Sequence, residues 1–300
     1  MTRALPPLLL LSLAACRSPQ PTPPRDAAAP LTAPQPTRTF TRSAIPRLDT
    51  HVHVTLGAGM RAVRFFEQFN IVHGINLSGP PPSHGLADFV ADAEVAYGRL
   101  TVFANLNWSY ARQPGFGERM AADLERAKEL GARGVKIPKG LGLGFVGPDR
   151  KLLKIDDPSL DPIFEKAGAL GLPIAIHSGD PKAFWQPGGA DNERHEELEA
   201  HPEWGFYEDH KRGELPSWQE LFDAFVRRVA RHPNTKFIGV HFGNDPEDPD
   251  AIAQVLDKNP NLFIDIAARV PAIGRRDAAH ERGKMRAFFL KYQDRILFGT

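Results

Sequence analysis

Eight short apolar runs recur between residues 47 and 299, each separated from the next by a longer stretch with apolar residues at helical spacing. The runs are 47–54, 70–78, 100–107, 133–138, 172–178, 235–242, 261–267 and 295–299. Between them, Ala58–Phe69, Leu86–Tyr97, Glu118–Leu130, Ser159–Leu170, Ser217–Arg231, Ile252–Leu256 and Glu281–Tyr292 read as helices. Gly131 and Gly171 follow two of these stretches, as helix C-terminal caps do. Strand and helix in regular alternation imply a parallel sheet, because parallel neighbours need a long crossover, usually helical. Eight such units over roughly 250 residues predict an α/β fold, a (β/α)8 TIM barrel. An open doubly wound sheet would be expected to follow its first strand with a glycine-rich phosphate loop. Here the first run ends in His51-Val52-His53.

That pair is the first chemical signal. Side chains at i and i+2 of a strand share a face, so His51 and His53 are expected side by side. Neutral imidazole is a common metal ligand, and Zn–N bonds of about 2.0–2.1 Å suit two adjacent rings. Alone, the pattern also describes two polar residues at a solvent-facing edge. The later runs add to it. The fifth ends Ile176-His177-Ser178-Gly179 and the sixth Val240-His241-Phe242-Gly243. In a barrel of this kind the strand C-terminal ends build the active-site face, so His51, His53, His177 and His241 are predicted to converge there.

The rest of the chain divides simply. Met1-Thr2-Arg3 followed by an apolar run to Ala15 has the form of a secretory signal peptide (residues 1–15). It ends Leu13-Ala14-Ala15-Cys16, which resembles the lipobox of bacterial lipoproteins and makes Cys16, the single cysteine, the expected lipidation site. By the same resemblance Arg17, rather than Asp, implies outer-membrane retention in a Gram-negative envelope, facing the periplasm. Residues 16–46 are rich in Pro, Thr, Ala and Gln, a composition that cannot bury enough apolar surface to fold and reads as a tether. The domain itself is expected over 47–300. A net charge of +1 excludes the basic footprint of a nucleic-acid binder. The only membrane association expected is through the Cys16 anchor.

Residues 180–216, between the fifth and sixth runs, are too long for an ordinary connection. Trp185, Trp204, Phe206 and Tyr207 argue for a packed segment, read here as a lid over the barrel mouth.

The motifs Asp49-Thr50-His51-Val52-His53, Gly134-Val135-Lys136-Ile137, His177-Ser178-Gly179, Gly239-Val240-His241, Asn261-Leu262-Phe263-Ile264-Asp265 and Asp294–Thr300 resemble the amidohydrolase superfamily. The likeness is to its amidohydrolase-related branch, which includes aromatic-acid decarboxylases and pyrone-dicarboxylate lactonases. The resemblance implies that His51, His53 and His177 bind one divalent metal, zinc first, with manganese or iron as alternatives. It implies His241 as acid/base beside that metal. The family's eighth strand closes in Gly-Thr-Asp, the aspartate being ligand and proton shuttle. The chain is therefore read as a barrel truncated at the end of strand 8, with an apolar edge left unpaired, and Asp265 as a less favoured substitute. Lys136, Asn107, Arg194 and Asp265 are expected to contact substrate, with a carbamylated, metal-bridging Lys136 as a rarer alternative. Asn105 shares a strand face with Asn107.

The implied activity is metal-dependent hydrolysis of a lactone, ester or amide in a small carboxylated molecule. Decarboxylation of a hydroxy-aromatic acid would use the same ligands, and an inactive surface-anchored binding protein is the rival from another class.

Overall fold

Each apolar run forms a strand, and each strand pairs in parallel with the next, so the order around the sheet is the order along the chain. The strands are β1 (Arg47–Val52), β2 (Ile71–Gly79), β3 (Leu100–Asn105), β4 (Gly134–Ile137), β5 (Ile174–Ile176), β6 (Phe237–Gly239), β7 (Leu262–Asp265) and β8 (Ile296–Leu297). The computed structural model describes residues 44–179, 181–245, 247–279 and 283–300. The signal peptide, Cys16 and nearly all of the tether lie outside the described residues.

The sheet curls until β8 meets β1, making a (β/α)8 TIM barrel. Thr50 N–H donates to the Phe298 carbonyl at 2.8 Å, Thr50 Oγ1 bonds the same oxygen at 2.9 Å, and Arg47 lies over the Phe298 ring. On its other side the eighth strand accepts from Ile266 N–H at Leu297. The unpaired eighth-strand edge expected from the sequence is therefore not what forms.

The helices between strands are α1 (Gly59–Gln68), α2 (Leu86–Val95), α3 (Phe116–Glu129), α4 (Asp161–Leu170), α5 (His195–Ala200), α6 (Tyr207–Lys211), α7 (Trp218–Arg231), α8 (Pro249–Lys258), α9 (Val270–Ala279) and α10 (Lys284–Lys291). Their ends follow local chemistry. Ser217 and Glu220 cap each other's backbone at the start of α7. Gly171, at φ +68°, ends α4. Leu221, Phe222, Phe225 and Val229 of α7 are buried together, the stripe that helical spacing gives. No run of apolar residues had marked α9. No helix among the described residues is long and apolar enough to cross a membrane.

Inside the barrel Leu77, Phe103, Ala175, Ile238 and Val240 pack as one cluster. Gly134 makes room for it, since a Cβ there would lie 2.4 Å from the Phe103 ring. This plug closes the lower barrel and leaves polar chemistry to the strand C-terminal ends.

The long connection after β5 is folded. It contains a 3-10 turn at Lys182–Trp185, then α5, a second 3-10 turn at Pro202–Trp204, and α6. Phe184, Trp185 and Leu198 join the main core. Trp185 Nε1 donates to the Pro216 carbonyl at 3.0 Å, and Phe206 N–H to the Phe184 carbonyl at 2.7 Å. Lys182 pairs with Asp245, beyond β6, at 3.0 Å, and Lys139, beyond β4, lies 5.6 Å from the Trp204 ring centroid. The segment thus reaches connections that leave the C-terminal ends of β4 and β6.

Candidate metal centre

The four histidines gather at the C-terminal end of the barrel. Ring centroids are 5.3 Å apart for His51 and His53, 4.8 Å for His51 and His241, and 4.7 Å for His177 and His241. Only His51 lies within a strand. The sequence placed His177 and His241 as last strand residues, but β5 stops at Ile176 and β6 at Gly239, so both stand just beyond.

The reason at β6 is a left-handed turn. His241, Phe242, Gly243 and Asn244 have φ of +55°, +65°, +68° and +68°. Left-handed backbone disfavours residues with a Cβ, by roughly 1–2 kcal/mol each, so this turn must be held by its surroundings. Phe242 is buried among Phe288 and Phe289. His241 N–H donates to Asp265 Oδ1 at 2.8 Å.

Hydrogen bonds fix which ring nitrogen is open. Asp265 Oδ2 lies 2.8 Å from His51 Nδ1. Burial alone would raise the Asp265 pKa, but the His51 hydrogen bond and the His51 and His241 charges bring it below the usual carboxylate range. An ionised carboxylate only accepts, so His51 Nδ1 carries a proton and Nε2 is the ring nitrogen turned away from Asp265. His241 Nδ1 faces the Ala267 carbonyl at 2.9 Å, another pure acceptor, with the same consequence. His53 Nδ1 is engaged by Ser78 Oγ at 2.8 Å. Three imidazoles therefore have Nδ1 committed to the protein and Nε2 open, the arrangement that orients histidines toward a metal. Burial lowers the His53 pKa to about 4, with the charges of His51, Lys136 and His177 adding to the shift. Burial, then the charge of His177, lowers that of His241 too. Neutral imidazoles are the ligating form. Ligand atoms of His51, His241 and Asp265 all lie within 4.8 Å of one another. The imidazole nitrogens gathered here suit a divalent transition ion such as zinc, with the Asp265 carboxylate already engaged by His51 and the backbone.

The other expected residues fall differently. Lys136 is buried beside this cluster, and burial lowers its pKa to about 8 against the opposing charge of Asp265. Its side chain makes no hydrogen bond or ion pair among the described residues. Asp265, expected to face substrate, is fully buried, with both oxygens taken by His51 and by the N–H groups of His241 and Ala267. These bonds tie it to His51 and to the backbone at His241 and Ala267. Asn107 caps the turn Trp108–Tyr110, accepting from Ser109 N at 3.2 Å, so its amide is committed locally. Asn105 donates to the Leu77 and Gly79 carbonyls. Arg194 pairs with Glu197 at 2.7 Å and lines a cavity of about 650 Å³ with Glu193, Ala268 and Pro271, not with the four histidines.

Some contributors were not anticipated. Asn76 holds both backbone groups of Val54, at 3.0 and 2.8 Å, and so fixes the exit of β1 beside His53. Its signal was a polar residue in an apolar run, with Ser78 two positions on. Arg61 lines a cavity of about 500 Å³ that reaches His51 and His53. Nothing local in the sequence marked it.

The model of the amidohydrolase family matches residues 106–300. No curated protein sequence matches the chain. Among solved structures, a probable 2-pyrone-4,6-dicarboxylic acid hydrolase from Acinetobacter baumannii, with citric acid bound, is 12% identical with a TM-score of 0.47, over 85% of this chain and 84% of that one. Amidohydrolase 2 from Bifidobacterium longum subsp. infantis is 13% identical with a TM-score of 0.43, over 85% and 83%. A dihydroorotase from Campylobacter jejuni is 12% identical with a TM-score of 0.44, over 85% and 68%.

Proposed function

Since the chain belongs to the amidohydrolase family, we propose that it is a metal-dependent hydrolase that opens a lactone, ester or amide bond of a small carboxylated molecule. The observation that carries this reading is the gathering of four imidazoles at one end of the barrel, with Nδ1 of His51, His53 and His241 held by Asp265, Ser78 and the Ala267 carbonyl. His51, His53 and His177 hold one divalent ion, zinc first, and His241 stands beside it. When bound, such an ion supplies Lewis acidity, polarising a carbonyl and making water a nucleophile near neutral pH.

The chain's own residues supply the rest. His241 takes and returns the proton as the leaving group departs, its ring oriented by the Ala267 carbonyl. Asp265 keeps His51 in one tautomer. Lys136, a buried cation with no side-chain hydrogen bond or ion pair among the described residues, binds the substrate carboxylate. The segment after β5 walls the mouth and limits water. The proposal also places the protein in the cell envelope, exported, lipid-anchored at Cys16 and tethered through residue 46.

The test compares chelated with zinc- or manganese-reconstituted protein on a panel of carboxylated lactones, esters and amides, with hydroxybenzoates alongside. Metal-dependent hydrolysis supports the reading. Release of CO₂ from a hydroxybenzoate replaces it with decarboxylation. Bound substrate without turnover replaces it with a binding protein.

A further inference from the structure

Asn244 joins the turn that carries His241 to the strand end that carries His177. Its Oδ1 accepts the Ser178 N–H at 3.0 Å, and its Nδ2 reaches the Ile176 carbonyl at 3.5 Å. These two backbone groups flank His177. The Asn244 N–H closes the left-handed turn on the Val240 carbonyl at 2.9 Å. The side chain is buried, so the amide is not a solvated loop group that happens to lie nearby. On the far side of the same turn, His241 is tied to β7 through Asp265 and Ala267. The turn is thus bound on one side to the carboxylate that orients His51 and on the other to the backbone that presents His177.

We propose that Asn244 is a positioning residue whose side-chain amide sets His177 against His241 and so shapes the metal centre. This rests on the metal-hydrolase reading above. The competing explanation is local: φ of +68° favours Asn or Gly, and Asn244 would then serve the turn alone. Two substitutions separate these explanations. Asn244→Gly adopts the same backbone without strain and has no amide. Asn244→Asp tolerates the same backbone and keeps an oxygen for the Ser178 N–H.

The experiment uses the full chain and measures zinc affinity by chelator competition, together with amide hydrogen exchange at Ser178. Losing a partner that orients a ligand typically costs about 10–100-fold in metal affinity. Asn244→Gly is expected to bind zinc at least about tenfold more weakly and to lose protection at Ser178. Asn244→Asp keeps an acceptor for the Ser178 N–H but sets an oxygen against the Ile176 carbonyl, so it is expected to retain protection at Ser178 and to fall between wild type and Asn244→Gly in zinc affinity. Wild-type affinity in Asn244→Gly overturns the proposal, as does a loss in Asn244→Asp equal to that in Asn244→Gly. A wild-type chain that takes up no metal overturns the metal-hydrolase reading and this inference together, and that result is visible before any variant is made.

Discussion

His51 and Asp265, separated by 214 positions in sequence, meet at 2.8 Å in the barrel interior. The carboxylate accepts from His51 on Oδ2 and from the His241 and Ala267 N–H groups on Oδ1. One side chain therefore fixes the tautomer of one histidine and the backbone beneath another.

An amide cannot do both. In Asp265→Asn the single acceptor oxygen serves either His51 or the two backbone N–H groups, and the NH₂ faces a donor on the other side. The expected result is a fall in zinc affinity of about 10–100-fold, read by chelator competition. Unchanged affinity would contradict the assignment of Asp265 as the group that orients His51.

Lys136 links substrate binding to a stability cost. Burial brings its pKa from 10.5 to about 8, so the unfolded chain holds the proton more tightly than the folded one. Wild-type stability should therefore rise as pH increases from about 8 toward 10.5. Lys136→Met removes that dependence. Denaturation of metal-free protein at pH 7 should show the variant more stable by roughly 2–3 kcal/mol, with the gain shrinking at higher pH and hydrolysis of carboxylated substrates lost. A destabilised variant would mean that Lys136 has a structural partner.

Much of this architecture was legible in the sequence because it is periodic. All eight strands lie where apolar runs alternate with helical stretches, and Gly131 and Gly171 marked real helix ends. The strand C-terminal ends were misplaced by one to three residues. His177 and His241 read as strand from their apolar neighbours, whereas Phe242 and His241 turn left-handed, a conformation that only Gly243 and Asn244 advertised. The gathering of the histidines followed from the barrel rule that strand ends share a face. Their hydrogen-bond partners did not: Ser78, Asp265 and Ala267 come from other strands and strand ends, 25 to 214 positions away, and no local pattern pairs residues so far apart. Asn107 differs: its amide oxygen accepts from Ser109, two residues away, and its Nδ2 reaches Ser83 Oγ at 3.5 Å.

Asp245, just after the turn that carries His241, gives a second pH signature. Burial raises its pKa from 3.8 to about 6, against the opposing effect of Lys182. Folded protein thus binds this proton more tightly than unfolded chain, and wild type loses stability as pH rises between these two values. Asp245→Asn has no proton to lose. Denaturation of metal-free protein should show the variant gaining on wild type by roughly 1–3 kcal/mol between about pH 4 and pH 7. A difference that stays flat with pH would show that Lys182 offsets the burial of Asp245 completely.

The most direct test of the central claim is the metal content of the purified chain after reconstitution, by elemental analysis, for wild type and for the His51→Ala/His53→Ala double variant. The account expects about one divalent ion per wild-type chain, and little or none in the variant at unchanged fold by circular dichroism. Two ions per chain would point instead to a carbamylated Lys136 bridging a binuclear centre. No ion in the wild type, or equal content in the variant, would contradict a metal centre built on these histidines.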